Sequence, residues 1–348
     1  MTRGFGDYVV GLVNGMAAYA DIALVLSRKD EWITSFIDPR VKIMKSGAPR
    51  VSHPGNLVSM AQIRRFICDF KPDLVHLQSR MVWETPVVRS IPGLRYVITA
   101  HDVVRHPRRK RFIPQFILDC GIRGAPGVIV HGESLMHLAR QRFGCRKIAN
   151  LPHGLIYRYG SGEAHVKPKE NRVLLFGTLD EWKGIEHFVR CEPVVREQVP
   201  DVRFVIAGRS SDPNYHRSLP CPGQHVEMRL GFQDDEQVRS LFSSADVLVL
   251  PYTDASQSGV LQVGFSFGIP PVVTGVGALT DIVRHEENGL VVNSGDTGAL
   301  AFAIVRLLTD FSLRSRVISE MKKDRETSLH WGNIACKTIE FYESILSN

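Results

Sequence analysis

The chain has 348 residues, of which 44% are apolar and 23% charged, a length and composition typical of a globular protein with two domains. No apolar run approaches the roughly 18 residues of a membrane-spanning helix, and the first residues lack a continuous signal-peptide core. We therefore expect a cytoplasmic protein, with at most a peripheral attachment to the inner face of the membrane. The six cysteines form no CxxC pair and no zinc-finger spacing, so neither a structural metal ion nor a disulfide framework is expected.

The charge of the chain is divided unevenly between its two halves. Residues 1–155 carry 23 lysines and arginines against 11 acidic residues, a net charge of +12, whereas the remaining residues carry −5. A basic half indicates an anionic partner, either a nucleic acid or an anionic membrane surface. No RNA- or DNA-binding motif is recognisable, so no nucleic-acid partner is expected.

A run of four cations, followed directly by apolar residues, is a distinctive feature of the basic half: Arg108, Arg109, Lys110 and Arg111. Cations beside an apolar helix are typical of a segment that lies on an anionic lipid surface. A solvated basic loop in front of a core helix explains the same pattern equally well, and both interpretations stay open.

The first elements appear in an unusual order. Gly4 to Asp7 predict a glycine turn, residues 8–19 a helix, and a strand follows only at residues 22–26. A doubly wound domain normally begins with a strand, which the glycine turn and the helix follow. Either the sheet lacks this strand or the sequence as given starts late. We favour the late start, which a stop codon directly before Met1 in the gene would refute.

Short apolar strands then alternate with helix-like segments, which predicts a parallel sheet with helices on both faces. The strands are expected at residues 41–43, 74–77, 96–99 and 128–130, and the helices at residues 57–70, 82–90, 113–122 and 133–143.

Polar residues stand at the ends of three of these strands. They are His76, His101 with Asp102, and His131 with Glu133. Ligands of an open α/β sheet bind beyond the carboxyl ends of its strands. We therefore expect the three histidines to point into one cleft.

A second alternation of strands and helices follows residues 156–171, whose glycine, proline and charge content predicts an interdomain linker. Its strands are expected at residues 173–176, 202–207, 226–230, 247–250, 271–273 and 290–292. The predicted fold is therefore α/β, with two Rossmann-like doubly wound domains at residues 1–155 and 172–325. A final segment follows at residues 326–348.

Three loops at one edge of the second sheet suit a phosphate-bearing ligand. Residues 177–184 place Lys183 at the start of a helix, and Gly208 follows the next strand. Residues 256–260 open a short helix, whose N-terminus presents free N–H groups and a positive dipole end. Each loop alone is equally an ordinary β–α turn with a surface lysine or an N-cap serine. Only the three together favour a nucleotide.

The residues at this point resemble a family. The segments are FGTLDEWKG (176–184), VRFVIAG (202–208), LGFQDDEQVRSLFSSADVLVLPY (230–252), SGVLQVGFSFGIPPVVT (258–274) and GVGALTDIVRHEENGLVV (275–292). With looser matches in the first half, such as VITAHD and VIVHGES, they resemble the glycosyltransferases of family 4, the group 1 type. That family has the GT-B fold, in which two Rossmann-like domains face a cleft. The resemblance implies that the last segment, residues 326–348, carries a helix at residues 331–346 that crosses back to pack on the first domain.

The resemblance implies transfer of a sugar from a nucleotide-sugar, with retention of configuration, to a lipid-linked sugar or polysaccharide acceptor. It implies that Lys183 pairs with the donor diphosphate and that His101 lies near the transferred sugar, as the catalytic residues. The expected donor-binding residues are Gly6, Gly177, Thr178, Lys183, Gly208, Phe232, Gln233, Ser256, Gln257, Ser258, Gly259 and Val260. The expected acceptor-side residues are His76, Asp102, His131 and Glu133. No metal and no cofactor are expected, because the nucleotide-sugar is a substrate.

Two departures from the family pattern concern donor binding. Thr178 stands where an arginine is usual, and Ala255 and Val263 stand near the places of two glutamates, one of which usually contacts the ribose. Each loss should weaken donor binding by about 1–3 kcal/mol, although some branches of the family resemble this SQSGV form. A non-catalytic nucleotide-sugar-binding scaffold of a polysaccharide synthesis complex is therefore the alternative. A dinucleotide dehydrogenase ranks lower, because no GxGxxG follows a strand with an acidic residue at the right distance.

Overall fold

The structure, a computed structural model, describes residues 3–47, 55–78, 84–101, 103, 115–144, 147–163, 165–210, 215, 223, 225–255 and 257–347. The chain divides into two compact units. Unit 1 comprises Met1–Gly154 and Trp331–Asn348, and unit 2 comprises Leu155–His330.

The described strands of unit 1 are all parallel and form a pair and a four-stranded sheet. The pair is β1 (Ala23–Ser27) with β2 (Lys42–Ser46), and the sheet follows the order β3 (Leu74–Gln78), β4 (Arg95–Thr99), β5 (Gly127–Val130) and β6 (Ile148–Asn150). The short strand β6 has no counterpart among the predicted strands, because three residues give too little apolar pattern to recognise.

The described helices of unit 1 that precede its last strand alternate with these strands along the chain. They are α1 (Arg3–Met16), α2 (Asn56–Phe70), α3 (Glu84–Arg89), α4 (Gln115–Ile122) and α5 (Glu133–Phe143), with a 3₁₀ segment at Arg28–Phe36. Strands β4 and β5 are buried along nearly their whole length, as the apolar runs predict for a parallel sheet.

The glycine turn predicted at Gly4 to Asp7 is wrong, because these residues lie inside α1. A Cβ atom at Gly6 would lie 2.5 Å from Trp32 Cζ2 and 2.9 Å from Ile33 Cγ2. Gly6 therefore allows α1 to pack closely on the 3₁₀ segment. It does not belong to a turn that could fold over a diphosphate, which removes the reason for counting it among the donor-binding residues.

Unit 2 is a six-stranded parallel sheet with the order β12-β11-β10-β7-β8-β9. The strands are β7 (Arg172–Thr178), β8 (Arg203–Arg209), β9 (Val226–Leu230), β10 (Val247–Leu250), β11 (Pro271–Thr274) and β12 (Leu290–Val292). The helices are α6 (Ile185–Gln198), α7 (Asp235–Ser244), α8 (Gly259–Ser266), α9 (Leu279–Ile282), α10 (Thr297–Thr309) and α11 (Phe311–Glu326), with a 3₁₀ turn at Glu181–Lys183. This is the strand order of a doubly wound nucleotide-binding domain.

Residues 156–171, which the sequence predicts to be a linker, instead pack onto unit 2. Ile156 is buried in its core, and Arg158 forms an ion pair of 2.6 Å with Asp235. The buried Arg314 donates a hydrogen bond of 2.8 Å to the carbonyl of His165. A segment that packs along the surface of a domain is as rich in polar residues as a free linker, so the sequence alone could not distinguish the two.

The last helix, α12 (Trp331–Leu346), belongs to unit 1 and packs against α1. Cβ atoms at Gly11 and Gly15 would lie 2.0 Å from Trp331 Cε2 and 2.8 Å from the Trp331 carbonyl oxygen. The helix spans the residues predicted for it, 331–346, but the predicted segment boundary at residue 326 lies at the end of α11, which with the residues up to His330 belongs to unit 2. Among the helices that the structure describes, none is both long and apolar enough to cross a lipid bilayer.

Candidate functional site

The order of the strands in unit 2 locates a candidate binding site. The chain runs from β7 outward through β8 and β9 on one side, and from β10 outward through β11 and β12 on the other. The chain therefore reverses direction between the adjacent strands β7 and β10, and the crevice outside the carboxyl ends of the strands at such a switch point is where open α/β sheets bind ligands. The loops that leave the carboxyl ends of these two strands are residues 178–184 and 251–258.

Two glycines allow the ends of β7 and β8 to approach each other closely. Gly177 and Gly208 are register partners with φ of 127° and 143°, a region that other residues rarely adopt. A Cβ at Gly208 would lie 1.8 Å from the Gly177 carbonyl oxygen, and a Cβ at Gly177 would lie 3.3 Å from Val260 Cγ2. The β7 end therefore adjoins the first turn of α8, as required if both are to contact one ligand.

Backbone contacts join the two loops of the crevice. The N–H of Thr253 donates a hydrogen bond of 2.9 Å to the Trp182 carbonyl. A Cβ at Gly184, which has φ of 65°, would lie 1.9 Å from the Pro251 carbonyl oxygen. The 3₁₀ turn that carries Lys183 is thus fixed against the end of β10.

Lys183 is held between two aromatic rings. Its ammonium lies 3.5 Å from the ring centroid of Tyr252 and 4.0 Å from that of Trp182, and the residue is only 6% exposed. Aromatic faces attract a cation by about 0.5–2 kcal/mol each, more when water is excluded. The clamp restricts the side chain, which keeps a positive charge at the crevice.

Tyr252 also connects this clamp to α8. Its hydroxyl oxygen lies 3.2 Å from Ser258 Oγ, and burial raises the pKa of Tyr252 above its ordinary value, so the phenol stays protonated. Ser258 occupies the N-cap position of α8, yet its side chain accepts no hydrogen bond from the helix backbone. The hydroxyl is used by Tyr252 instead of capping the helix, and the helix dipole adds a partial positive charge at Gly259 and Val260.

Two predicted donor residues are exposed at the edge of the sheet. Thr178 ends β7, and Phe232, which follows β9, is 59% exposed. The amide of the neighbouring Gln233 donates to the carbonyls of Arg229 and Gly231 at 3.3 and 3.4 Å, which holds the loop after β9 in place. Ser256 lies outside the described residues, and Gln257 is half-buried beside it.

Arg209 and Tyr252 are not among the predicted site residues. Arg209 is the register partner of Thr178, is exposed, and its carbonyl accepts a hydrogen bond of 3.0 Å from the Leu179 N–H. The position of Arg209, directly after Gly208 at the end of a strand, could have indicated a phosphate-binding role. Nothing in the sequence indicated that Tyr252 packs on Lys183, because 69 positions separate them.

The positions near which the family usually carries glutamates are buried and apolar here. Ala255 is 6% exposed and Val263 is 4% exposed. An uncompensated carboxylate at either place would be costly to bury. The structure therefore agrees with the sequence in offering no acidic group there.

Unit 1 contains a second candidate site, a histidine cluster at the carboxyl ends of β3, β4 and β5. His131 Nε2 lies 3.2 Å from His101 Nδ1, and their ring centroids are 4.9 Å apart. His101 Nε2 lies 3.1 Å from Gln78 Oε1, and Gln78 Nε2 lies 3.3 Å from His76 Nε2. The structure brings the three histidines together, as predicted, but it buries His101 and His131 instead of exposing them in a cleft.

The cluster is fixed at both ends. His131 Nδ1 lies 2.7 Å from the Leu151 carbonyl oxygen. At the other end, His76 Nε2 lies 2.6 Å from Thr99 Oγ1, and its Nδ1 lies 2.5 Å from the hydroxyl of Tyr342 on α12. His101 and His131 are 2% and 4% exposed.

Burial keeps the histidines of the cluster neutral. Desolvation lowers the pKa of both His76 and His131 to about 3. Desolvation, with repulsion from the neighbouring histidines, also holds the pKa of His101 well below 6.5. At pH 7 these rings are therefore uncharged, and the cluster offers hydrogen bonds without positive charge.

A further aromatic residue, Tyr8, packs on the cluster and is not among the predicted site residues. The buried ring of Tyr8 lies 4.8 to 5.2 Å from the rings of His101, His131 and His153. Tyr8 comes from a helix that starts the chain, so only the fold brings it here.

The remaining predicted residues of unit 1 are more peripheral. Glu133, at the start of α5, has a side chain 54% exposed, which lies 3.6 Å from His137 and accepts a hydrogen bond of 3.3 Å from the Asn150 amide. Asp102 and the run Arg108–Arg111 lie outside the described residues. Over the part of the chain that the structure describes, no group of three or more histidines, cysteines and carboxylates is placed to hold a metal ion.

Comparison with protein families matches both units. Residues 170–310 match the family described as "Glycosyl transferases group 1", and residues 3–131 match "Glycosyl transferase 4-like".

Two relatives have similar sequences over part of the chain. An uncharacterized glycosyltransferase of Methanocaldococcus jannaschii is 32% identical over 180 residues, which are 51% of this chain and 46% of that protein. The phosphatidyl-myo-inositol mannosyltransferase of Mycobacterium leprae is 29% identical over 178 residues, which are 51% of this chain and 47% of that protein. The chain thus spans about half the length of these curated relatives.

A solved structure shows the same fold. HepE from Anabaena in complex with UDP superposes with a TM-score of 0.74 and 16% sequence identity, over 98% of this chain and 96% of HepE.

Proposed function

The chain belongs to the group 1 glycosyltransferases and has their GT-B fold, and on that premise we propose that it transfers a sugar from a nucleotide-sugar donor bound by unit 2. The observation that carries this proposal is the crevice at the switch point of the unit 2 sheet. Three features meet there: the ends of β7 and β8 with their glycines, Lys183 held between two rings, and the N-terminus of α8. Positions 255 and 263 add no carboxylate. Such a set of groups suits a diphosphate.

The chemistry assigned to the crevice is electrostatic. When the bond between sugar and diphosphate breaks, negative charge develops on the leaving phosphate. Lys183 supplies a full positive charge, and the N–H groups of Gly259 and Val260 supply hydrogen bonds and the helix dipole. Because the aromatic rings and the loop contacts fix these groups beforehand, little reorganisation is needed as the charge appears.

We propose that Arg209 supplies the positive charge that an arginine usually provides at the position of Thr178. The two residues are register partners on adjacent strands, and a long guanidinium side chain at 209 can reach the space that a side chain at 178 borders. Its exposure keeps it available to a phosphate.

The acceptor and the stereochemistry follow from the resemblance to the family. We propose retention of configuration and an acceptor that is a lipid-linked sugar or a growing polysaccharide at the inner face of the membrane. The basic half of the chain, including Arg108–Arg111, supports attachment to anionic lipid. Pelleting with anionic and neutral vesicles at low and high salt tests this: binding to anionic vesicles that salt weakens supports it, and equal failure to pellet at both salt concentrations contradicts it.

The donor site is tested by substitution of its lysine. Calorimetric titration of the purified protein with UDP-, GDP- and ADP-sugars should show saturable binding of at least one donor. In Lys183→Ala the dissociation constant of that donor should rise by about 10- to 100-fold, the loss of a charge-assisted hydrogen bond. The exposed Lys322 on α11 provides the control, since Lys322→Ala should bind as the wild type does. Unchanged binding in Lys183→Ala would remove the lysine from the site.

A non-catalytic nucleotide-sugar-binding role is the second candidate, favoured by the buried apolar residues at positions 255 and 263. It predicts the same donor binding without sugar transfer or donor hydrolysis. Turnover by the purified protein therefore separates the two candidates.

A further inference from the structure

The geometry of the histidine cluster in unit 1 determines which nitrogen of each imidazole ring carries the hydrogen. A neutral imidazole has one N–H donor and one lone-pair acceptor, and the partner of each nitrogen decides which is which. One partner in the cluster is a backbone carbonyl, which can act only as an acceptor and cannot turn. That carbonyl belongs to Leu151, 2.7 Å from His131 Nδ1.

The proton positions follow from this fixed end. His131 must carry its hydrogen on Nδ1 to donate to Leu151, so its Nε2 has a lone pair. His101 Nδ1 lies 3.2 Å from that lone pair and must therefore carry the hydrogen of His101. The Nε2 of His101 is left as an acceptor.

The next partner is the amide of Gln78, 3.1 Å from His101 Nε2. An amide can present either its oxygen or its NH₂ group to a neighbour after a half-turn. Only the NH₂ group can pair with the lone pair of His101, so Gln78 donates to His101 and turns its oxygen toward His76 Nε2. His76 then carries its hydrogen on Nε2, for Thr99 and Gln78, and its Nδ1 accepts from the Tyr342 hydroxyl.

We infer that the Leu151 carbonyl, acting through His131, fixes His101 as the Nδ1–H tautomer, and that Gln78 holds its Nε2 as a hydrogen-bond acceptor. His131 and Gln78 are thus positioning residues for His101. The inference deepens the proposed function and rests on it: the resemblance to the family implies that His101 lies near the transferred sugar, and in that role His101 cannot donate a proton from Nε2.

The opposite tautomer leaves two mismatches. If His101 carried its hydrogen on Nε2, its bare Nδ1 would face the bare Nε2 of His131. Moving the hydrogen of His131 to Nε2 would relieve that contact, but a lone pair would then face the Leu151 carbonyl. A buried polar atom without a partner costs about 1–3 kcal/mol, so the first arrangement is preferred.

The test is an imidazole ¹⁵N correlation spectrum of the full chain at pH 7, with histidines assigned by single substitution. His101 should show a protonated-type shift at Nδ1 and an unprotonated-type shift at Nε2. A protonated Nε2 with a bare Nδ1, or protons on both nitrogens, would overturn the inference. The spectrum needs no donor or acceptor, so its result is independent of whether sugar transfer occurs.

Two substitutions of His131 show whether its contact with His101 holds the tautomer of His101. In His131→Gln the terminal amide oxygen replaces Nε2 as an acceptor, so the His101 tautomer should persist. In His131→Asn the bond to Leu151 can survive but no atom reaches His101, and the Nδ1–H signal should shift or broaden. His137, which is exposed on α5, gives the control, because His137→Gln should leave the signals of His101 unchanged. Identical spectra of His131→Gln and His131→Asn would contradict the relay.

Gln78→Glu gives an opposite prediction for the two tautomers. A carboxylate has only acceptors, so it should draw a second proton onto His101 and convert the Nε2 shift to the protonated type at pH 7. If His101 already donated from Nε2 to the Gln78 oxygen, the substitution would leave that shift unchanged, which would refute the inference. If His101 also acts on the transferred sugar, His131→Asn should lower kcat about tenfold, as expected for one lost hydrogen bond. The donor KM should stay within about twofold of the wild-type value.

Discussion

Acid should destabilise unit 1 through its histidine cluster. His131 is 4% exposed and uncharged in the folded protein, because burial lowers its pKa to about 3. In the unfolded chain the pKa of a histidine is about 6.5. A folded-state pKa below the unfolded one means that the contribution of the neutral ring is complete above pH 6.5. It is lost progressively as the pH falls toward 3.

The size of the effect follows from linkage. Each pH unit below 6.5 removes about 1.4 kcal/mol of unfolding free energy for each such histidine. Between pH 6.5 and 5, His131 alone accounts for about 2 kcal/mol. His76 and His101 act in the same direction, because the pKa of each is lowered in the folded state as well. A loss of several kcal/mol is a large part of the roughly 5–15 kcal/mol by which a domain is stable.

Hydrogen exchange of β4 and β5 by mass spectrometry measures this in unit 1 separately. After correction for the intrinsic pH dependence of exchange, the opening free energy of these strands should fall between pH 6.5 and 5. That of β8 in unit 2, where no described histidine is buried, should change much less. In His131→Gln the fall should be smaller by about 1.4 kcal/mol per pH unit. A wild-type opening free energy that is constant over this range, or the same slope in His131→Gln, would refute the assignment of neutral buried rings.

Three other predictions concern the unit 2 crevice. Tyr252→Phe keeps the aromatic face over Lys183 but loses the hydroxyl contact, so donor KM should rise only about two- to tenfold. Tyr252→Leu removes the ring as well and should raise donor KM further. Equal donor KM values for the two variants would show that the ring does not contribute. Gly208→Ala should unfold unit 2 or lower its melting temperature sharply in calorimetry, because the Cβ would lie 1.8 Å from a carbonyl oxygen, and a wild-type melting temperature contradicts this. Arg209→Gln should weaken donor binding about tenfold in titration calorimetry, and Thr178→Arg in that background should restore it; no loss in Arg209→Gln, or no recovery, would contradict the assignment of the charge to Arg209.

Much of the fold could be predicted because buried parallel strands have a strong local signal. The runs at residues 247–250 and 128–130 are continuous and apolar, and the strands lie there, buried along their length. Prediction failed where the local sequence pattern was compatible with two different structures. The glycines at positions 4 and 6 suit a tight turn, but Gly6 also suits a helix packed closely on Trp32.

The candidate site was predictable as a set of loops and not as a set of contacts. Parallel strands place their carboxyl ends at one edge, so strand order alone brings the loops of residues 177–184 and 251–258 together. The same rule predicts the meeting of His76, His101 and His131. The clamp on Lys183 and the approach of Tyr8 and Tyr342 to the histidines depend on packing between distant residues, which no local pattern encodes.

The most direct test of sugar transfer is the release of nucleoside diphosphate by the purified full chain. The protein is incubated with each of a set of UDP-, GDP- and ADP-sugars, with and without a lipid-linked sugar or polysaccharide fraction as acceptor. We predict release from at least one donor, stimulated by acceptor, and lost in Lys183→Ala but kept in Lys322→Ala. Saturable donor binding with no release under any of these conditions would contradict catalysis and leave the non-catalytic donor-binding role.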